Sequence, residues 1–124
     1  MNTETQGQNP DIESILIDVV LESWRFAKAF ERAIKKLDAG QSSRFANQYN
    51  YFIKRLKEDL GKANLNLVDA SGQAFEPGMA VSALNIEDFD AEDTLLIDQM
   101  VEPIIMGPDG LRRTGTVMLR KIEL

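Results

Sequence analysis

The side chains most able to do chemistry are the carboxylates of an acidic run from Glu87 to Asp93, in which five of seven residues are Asp or Glu. Alternating carboxylates are typical of calcium-binding loops, which need glycine at the sixth position and glutamate at the twelfth. Counted from Asp88, those positions hold Asp93 and Gln99 instead. The run therefore predicts a solvated connecting loop that offers a charged patch to a partner, and no metal site.

Catalytic groups of the common kinds are missing from the sequence. The chain contains no histidine and no cysteine, which removes the usual general base, the thiolate nucleophile and most zinc ligands. Ser71 and Ser82 have no base to activate them, and no glycine-rich phosphate loop follows a predicted strand. We therefore expect no catalytic residue, no metal and no cofactor, and a protein that is not an enzyme.

Charge divides the chain into two unlike halves. Residues 1–62 hold 9 acids against 10 bases, whereas residues 63–124 hold 11 acids against 4 bases. An acidic second half repels phosphate backbones, so it argues against nucleic acid and favours a basic protein surface as the partner. The lysines and arginines of the first half leave a nucleic-acid stripe as a minor alternative.

The sequence also predicts where the protein acts. Residues 1–10 are polar and lack the basic start and apolar run of a signal peptide, so we expect a disordered tail. No later stretch approaches the roughly 20 apolar residues that a membrane span needs. With no cysteine to form disulfides, these features favour a cytoplasmic protein with no membrane partner.

Two amphipathic helices are predicted in the first half of the chain. Asn9 or Asp11 caps the first helix, and the segment from Leu37 to Gly40 ends it. Ser42 or Ser43 caps the second helix. Because the link between them is short, the two helices must run antiparallel.

The first helix carries two apolar rows where a single partner helix would cover only one. A helical hairpin cannot bury both rows by itself, so we predict that residues 11–64 form a four-helix bundle in a homodimer. In the alternative, the β half covers the second row and the protein is a monomer. The first row comprises Ile12, Leu16, Val19, Phe26, Phe30, Ala33 and Leu37, and the second comprises Ile15, Val20, Trp24, Ala27 and Ile34. The predicted dimer interface includes Val19, Phe26, Phe30, Ile34, Phe45 and Phe52.

From Leu65 onward the helical spacing gives way to short alternating segments broken by glycine and proline, which indicates β structure and an α+β protein. We expect residues 65–79 to be a linker and residues 80–124 to form a small all-β head. Pro108 and Asp109, between two glycines, predict a tight hairpin turn. Strands are predicted at Ala80–Ile86, Thr94–Val101, Ile104–Met106 and Thr114–Ile122.

Three segments in this order resemble the GrpE family, the nucleotide exchange factors of DnaK-type chaperones. Phe30-Glu31-Arg32-Ala33-Ile34 is similar to the Leu-Glu-Arg-Ala-Leu that ends the family's long helix. Residues 65–77 resemble the junction before the family's β head, and Arg113-Thr114-Gly115-Thr116-Val117 takes the place of its Arg-Pro-Ala-x-Val. Three features depart from the family: Met79 leads directly into Ala80 where the family has His-Glu, Ile104-Ile105 replaces Gly-Tyr, and the long N-terminal coiled coil is nearly absent.

The resemblance implies a dimer whose GrpE-like β heads bind the ATPase domain of a DnaK-type chaperone and promote ADP release. The alternative is a dimeric adaptor of the same architecture without exchange activity. The family match points to Arg113 as a contact residue, whereas strand alternation turns Arg112 outward. The expected partner-binding residues are Met106, Pro108, Asp109, Arg112 and Arg113.

Overall fold

The computed structural model describes residues 11–123, and the predicted tail 1–10 lies outside these residues. Helix α1 spans Ile12–Ile34, and helix α2 spans Ala39–Lys62. Of the two predicted caps of α1, Asp11 is confirmed, because its carboxylate accepts a 2.7 Å hydrogen bond from the Ser14 amide.

The predicted cap of α2 is wrong. Asp38 takes this role and accepts a hydrogen bond from the Gln41 amide at 3.0 Å. An aspartate is as good a cap as a serine, and this one comes first after the turn, so the helix begins three residues earlier than Ser42. The helices are joined by only four residues, 35–38.

Six strands follow the helices and confirm the α+β class. They form two three-stranded sheets, of order β1-β4-β5 and β2-β6-β3, in which every neighbouring pair is antiparallel except β2 and β6. The strands are β1 Asn66–Val68, β2 Val81–Ala83, β3 Leu95–Glu102, β4 Ile104–Gly107, β5 Gly110–Arg113 and β6 Gly115–Lys121.

Four of the six strands match predicted ones, and two were not predicted. The strand expected at Ala80–Ile86 is shorter because a 3-10 turn at Ile86–Asp88 breaks it. Strands β4 and β5 form the predicted hairpin around Pro108 and Asp109, with Gly110 at a φ of +122°, where a side chain would be strained.

The segment 65–79, expected as a linker, is part of the folded β half. It contains β1, which pairs with β4, and its Ala74 bridges to Leu96 of β3. Leu65 and Ala70 are almost fully buried, since their apolar side chains fill space between the helices and the sheets.

Four of the five residues of the second apolar row of α1 pack against the β half and α2 of the same chain, whereas Ile15 is 44% exposed. Trp24 is 1% exposed and belongs to the same cluster as Ile97, Met100 and Val117 of the sheets. A second cluster joins α1 to α2 and β4. Its buried members are Ile17, Val20, Leu21, Leu60, Leu65 and Ile105.

Candidate interaction surfaces

The first surface is an apolar face along the helical hairpin, which no other part of the described chain covers. Phe26 is 76% exposed, Val19 is 56% exposed and Ile12 is exposed as well. Between α1 and α2 this face opens into a groove of about 270 Å³. The groove is lined by Phe26, Ala27, Phe30, Gln48, Tyr49 and Phe52.

Most of the predicted dimer-interface residues lie on or beside this face. Phe26 and Phe52 line the groove, and Val19 continues it along α1. Phe30 and Phe45 are half-buried and meet edge to face with ring centroids 5.9 Å apart. Both rings are rigid and still partly in contact with water, so a further partner is needed to bury them fully.

Ile34 is the exception among the predicted interface residues. Its side chain is buried against Ala27 and Tyr49 inside its own hairpin, so it is not available to a second chain. It belongs to the row that turns toward α2, and the sequence spacing alone does not distinguish a neighbour in the same chain from one in another chain.

The head lies on the opposite side of α1 from the apolar face. Trp24 points into the head, where its indole Nε1 donates a 2.9 Å hydrogen bond to the carbonyl oxygen of Met100. Phe26 comes two residues later, about 200° around the helix axis. A partner that covers the apolar face therefore leaves the head accessible.

Ion pairs tie the head to α1 and engage both predicted contact arginines. Arg112 Nε lies 2.7 Å from Glu13 Oε1, and Arg113 lies 2.9 Å from the Asp18 carboxylate. Both arginines are partly buried. The structure thus places them at the junction of β5 with α1, where their charges are neutralised within the chain.

A third ion pair joins the middle of α1 to the end of β3. Arg25 pairs with Glu102, which also accepts a 3.0 Å hydrogen bond from the Thr116 hydroxyl. The Glu102 charge raises the pKa of Arg25 above its ordinary value. This node links α1, β3 and β6.

The second surface is the tip of the β4–β5 hairpin. Pro108 and Asp109 are exposed, as predicted for the turn, and Met106 is half-buried on the strand before it. Leu111 follows on β5 and is 47% exposed, yet it was not among the predicted contacts. Its position after a turn glycine was a usable signal, but the strand that presents it was not recognised.

The third surface combines exposed leucine and isoleucine with the acidic run. Leu84 and Ile86 are both exposed, and Glu87 and Asp88 follow directly. Further along, the Asp90 amide donates a 2.9 Å hydrogen bond to the Asp93 carboxylate.

This loop is held by local contacts. The hydrogen bond from the Asp90 amide and the nearby Lys121 ammonium, at 3.4 Å, lower the pKa of Asp93. Asn85 also clamps the start of the loop: its side-chain amide donates to the Leu119 carbonyl and accepts from the Leu119 amide, both at 2.9 Å.

The head keeps a strong excess of negative charge at its surface. All four of its bases are in ion pairs: Arg112 and Arg113 with α1, Arg120 with Asp98, and Lys121 with Asp93. Carboxylates such as Glu87, Asp88 and Glu92 remain exposed. The face suits a basic partner.

Polar clefts also run between the head and the basic side of α1. The Lys28 ammonium lies 4.5 Å from the centre of the Trp24 ring. Burial opposes its charge, but the Tyr49 hydroxyl and nearby carboxylates raise the pKa of Lys28 above its ordinary value. Lys28 therefore stays a cation packed on an aromatic ring, which stabilises the junction.

Residues 11–123 contain no group of three or more acidic side chains placed to hold a metal ion together. Neither of the two described helices is long and apolar enough to cross a bilayer. Comparison of the chain with protein-family models, with curated proteins and with solved structures gave no match.

Proposed function

We propose that the protein is a dimeric GrpE-like co-chaperone that binds the ATPase domain of a DnaK-type chaperone in the cytoplasm and promotes ADP release. The observation that carries the proposal is that the two sides of α1 have different surroundings. One side holds the β head through Trp24, and the other side presents an uncovered apolar face at Phe26. Such a helix suits a protein that pairs through its hairpin and offers its head to a partner.

In the dimer, the second copy buries the apolar face. Phe26 and Phe52 alone leave roughly 200 Å² of side-chain surface in water, and Ile12, Ile15 and Val19 extend the patch along α1. Contiguous apolar patches of a few hundred Å² are characteristic of interaction sites. A second copy brings the same face, which makes the interface self-complementary.

The hairpin tip and the acidic face of the head form the proposed chaperone contact. Leu111 offers an apolar anchor at the tip, beside the exposed Pro108 and Asp109. The excess of carboxylates complements a basic surface and speeds the encounter of the two proteins. Arg112 and Arg113 act indirectly in this scheme, since they hold β5 against α1.

Exchange follows from linkage, without chemistry by any residue of this chain. A partner that binds the nucleotide-free chaperone better than the ADP-bound one must weaken ADP binding by the same factor. Each 1.4 kcal/mol of differential binding changes the ADP affinity about tenfold.

Calorimetric titration of the protein with the purified ATPase domain of a DnaK-type chaperone from the same organism tests the contact. We expect binding without nucleotide and weaker binding with excess ADP. Leu111→Asp places a charge in the contact and weakens binding, whereas Tyr51→Asp, an exposed aromatic on α2, serves as the matched control. Equal affinity with and without ADP rules out linkage.

The second candidate is a dimeric adaptor with no exchange activity. One observation favours it: the arginine that the family resemblance implies for chaperone contact, Arg113, is paired with Asp18 of its own chain. Absence of any binding to the chaperone ATPase domain, in a protein that is still a dimer, supports the adaptor.

A further inference from the structure

We propose that the open edge of strand β2 binds an extended, basic segment of a partner protein, which adds to the sheet as a further strand. Peptides bind sheet edges in this way in several classes of protein. Main-chain hydrogen bonds then supply affinity, and the side chains beside the edge supply selectivity. Such a site is separate from the β4–β5 hairpin tip and does not depend on the proposed co-chaperone function.

The two edges of the sheet β2-β6-β3 differ in what covers them. Residues 72–75 run along the outer edge of β3, where the Gly72 amide donates a 2.8 Å hydrogen bond to the Ile97 carbonyl. The Ile97 amide in turn donates to the Gln73 carbonyl at 2.9 Å. Strand β2 pairs with β6 on one side, and none of the strands in residues 11–123 pairs with its other side. The open edge of this sheet is therefore that of β2.

The backbone of β2 presents hydrogen-bonding groups along this open edge. The Leu84 amide donates a 2.9 Å hydrogen bond to the Val117 carbonyl, so the backbone of Leu84 faces β6. Backbone groups of alternate residues point to opposite edges of a strand. The N–H and C=O groups of Val81 and Ala83 therefore point away from β6, where an added strand can bond to them.

Strand β2 lacks the side chains that usually protect an exposed edge. Natural sheets place charged residues, especially lysine, or proline on such edges. Residues 80–86 contain neither proline nor any charged residue. Instead, Leu84 is 63% exposed and Ile86 is 45% exposed at the end of the strand. With only three residues, β2 suits a short peptide segment.

The edge is already held in place by contacts within the chain. Asn85 bonds to both backbone groups of Leu119 on β6, which fixes the register at the end of β2. Val81 and Ala83 are partly buried against the apolar cluster of the head. A binding surface that is already ordered loses less conformational entropy when a partner binds.

Charge indicates which kind of segment fits the edge. The chain continues from β2 into the acidic run, whose Glu87, Asp88, Asp90 and Glu92 are exposed and form no ion pair with another residue of the described chain. Lysine or arginine beside this run is attracted to it. A second copy is disfavoured at the edge, because its head carries the same excess of carboxylates.

The direction of the segment follows from the place of the acidic run. Antiparallel pairing is slightly more stable per residue than parallel pairing. Because the acidic run follows the end of β2, an antiparallel segment has its basic residues at its start. Apolar side chains further along the segment then lie beside Leu84.

Nuclear magnetic resonance of the isotope-labelled chain with a synthetic peptide tests this site. The probe peptide begins with Lys-Arg-Lys and continues with Thr-Val-Thr-Val-Thr. We expect it to slow hydrogen exchange of the Val81 and Ala83 amides by about tenfold or more, because both become hydrogen-bonded. Exchange of the Leu84 amide, which is already bonded to β6, should change much less.

Two control peptides separate main-chain pairing from attraction by charge. N-methyl groups on two neighbouring residues remove a donor from each edge of the peptide and keep its side chains. This peptide should bind at least about tenfold more weakly, because it cannot complete the ladder. A peptide that begins with Glu-Asp-Glu should not bind, because its charges are repelled by the acidic run.

Variants of the protein locate the site. Leu84→Asp puts a further charge at an exposed apolar position beside the edge, so it should weaken peptide binding. Leu111→Asp makes the same change on the other sheet and should bind the peptide as the wild type does. Ala83→Pro removes an outward N–H and no donor to β6, so it should also weaken binding. The amide spectrum of each variant reports whether it is folded, and Leu84→Asp provides the test if Ala83→Pro is not.

Protection of the Val81 and Ala83 amides by the basic peptide supports strand addition. Binding that leaves both amides unprotected means attraction by charge alone and overturns the proposal. Protection that appears without peptide and grows with protein concentration assigns the edge to a second copy, and it also overturns the proposal. No binding at millimolar peptide overturns it as well. Because Leu111→Asp is the variant expected to lose chaperone binding, failure of the peptide site and failure of the proposed function are distinguishable.

Discussion

At the scale of single residues, Trp24 does most to join the helices to the sheets. It is fully buried, and its indole satisfies the carbonyl of Met100 at 2.9 Å. A buried carbonyl without a partner costs about 1–3 kcal/mol, in addition to the loss of packing when the larger ring is removed. The side chain therefore contributes both apolar contact and a fixed orientation.

Trp24→Phe should lower the free energy of unfolding by about 2–4 kcal/mol, because it removes the donor and part of the ring. Urea unfolding followed by far-ultraviolet circular dichroism measures the change. Tyr51→Phe, at an exposed aromatic position, should change stability by less than about 0.5 kcal/mol. Equal stability of the two variants would contradict the assigned role of Trp24.

Asn85→Ala should destabilise the head by about 1–3 kcal/mol, since it leaves the Leu119 amide and carbonyl without their side-chain partners. Thermal unfolding measures the effect. Asn85→Asp keeps the acceptor for the Leu119 amide but turns a carboxylate oxygen toward the Leu119 carbonyl, so it should also destabilise the head at neutral pH. An alanine variant as stable as the wild type would show that water can satisfy the Leu119 amide and carbonyl in place of the Asn85 side chain.

Most of the apolar rows of α1 could be predicted from the sequence, although the buried Ile17 and Leu21 were in neither predicted row, and the neighbour of each row could not be predicted. Val20, Trp24 and Phe26 all follow helical spacing. Such spacing identifies an apolar face of a helix, but it does not indicate which element packs against that face. For this reason Ile34 was assigned to the dimer interface, although it packs inside its own hairpin. Leu111 was missed because Leu111-Arg112-Arg113 shows no alternation of apolar and polar residues.

At the scale of elements, the β half depends on α1 for its core. Trp24 fills the cluster under β3 and β6, and Leu21 belongs to the cluster under β4. Three ion pairs, from Glu13, Asp18 and Arg25 of α1, join the same surfaces. Removal of the helix exposes both clusters to water at once.

A fragment of residues 63–124 should therefore fail to fold alone. Its amide resonances should be narrowly dispersed in a two-dimensional nitrogen–proton spectrum, whereas the full chain should give a dispersed one. Adding a peptide of residues 11–62 in excess should restore dispersion. A dispersed spectrum of the isolated fragment would mean that the head is an autonomous domain.

Elements with a long local pattern were predictable, whereas strand β1, which is defined by distant pairing, was not. Helices α1 and α2 and strands β3 and β6 have patterns of seven residues or more. Strand β1 has three residues, and it exists because Leu67 pairs with Ile105, far along the chain. The residues next to Leu67 do not indicate that pairing, so the segment was predicted to be a linker.

At the scale of the whole molecule, the uncovered apolar face predicts a dimer. Phe26→Asp should shift the protein from a dimer to the 13.9 kDa monomer, because it places an unpaired charge in an apolar interface. Sedimentation equilibrium at micromolar concentration measures the mass. Tyr51→Asp makes the same chemical change outside the groove and should remain a dimer. A wild-type monomer, or identical behaviour of both variants, contradicts the assignment of the apolar face.

The exchange activity itself can be measured by stopped flow, as the release of a fluorescent ADP analogue from a DnaK-type chaperone of the same organism. We predict that saturating protein accelerates release of the analogue by about tenfold or more, because a partner that prefers the nucleotide-free chaperone weakens ADP binding. Leu111→Asp should lose the acceleration while its helices remain folded, and Tyr51→Asp should retain it. Release that is unchanged at saturating protein, with every resident DnaK-type chaperone, would contradict the claim and leave the adaptor.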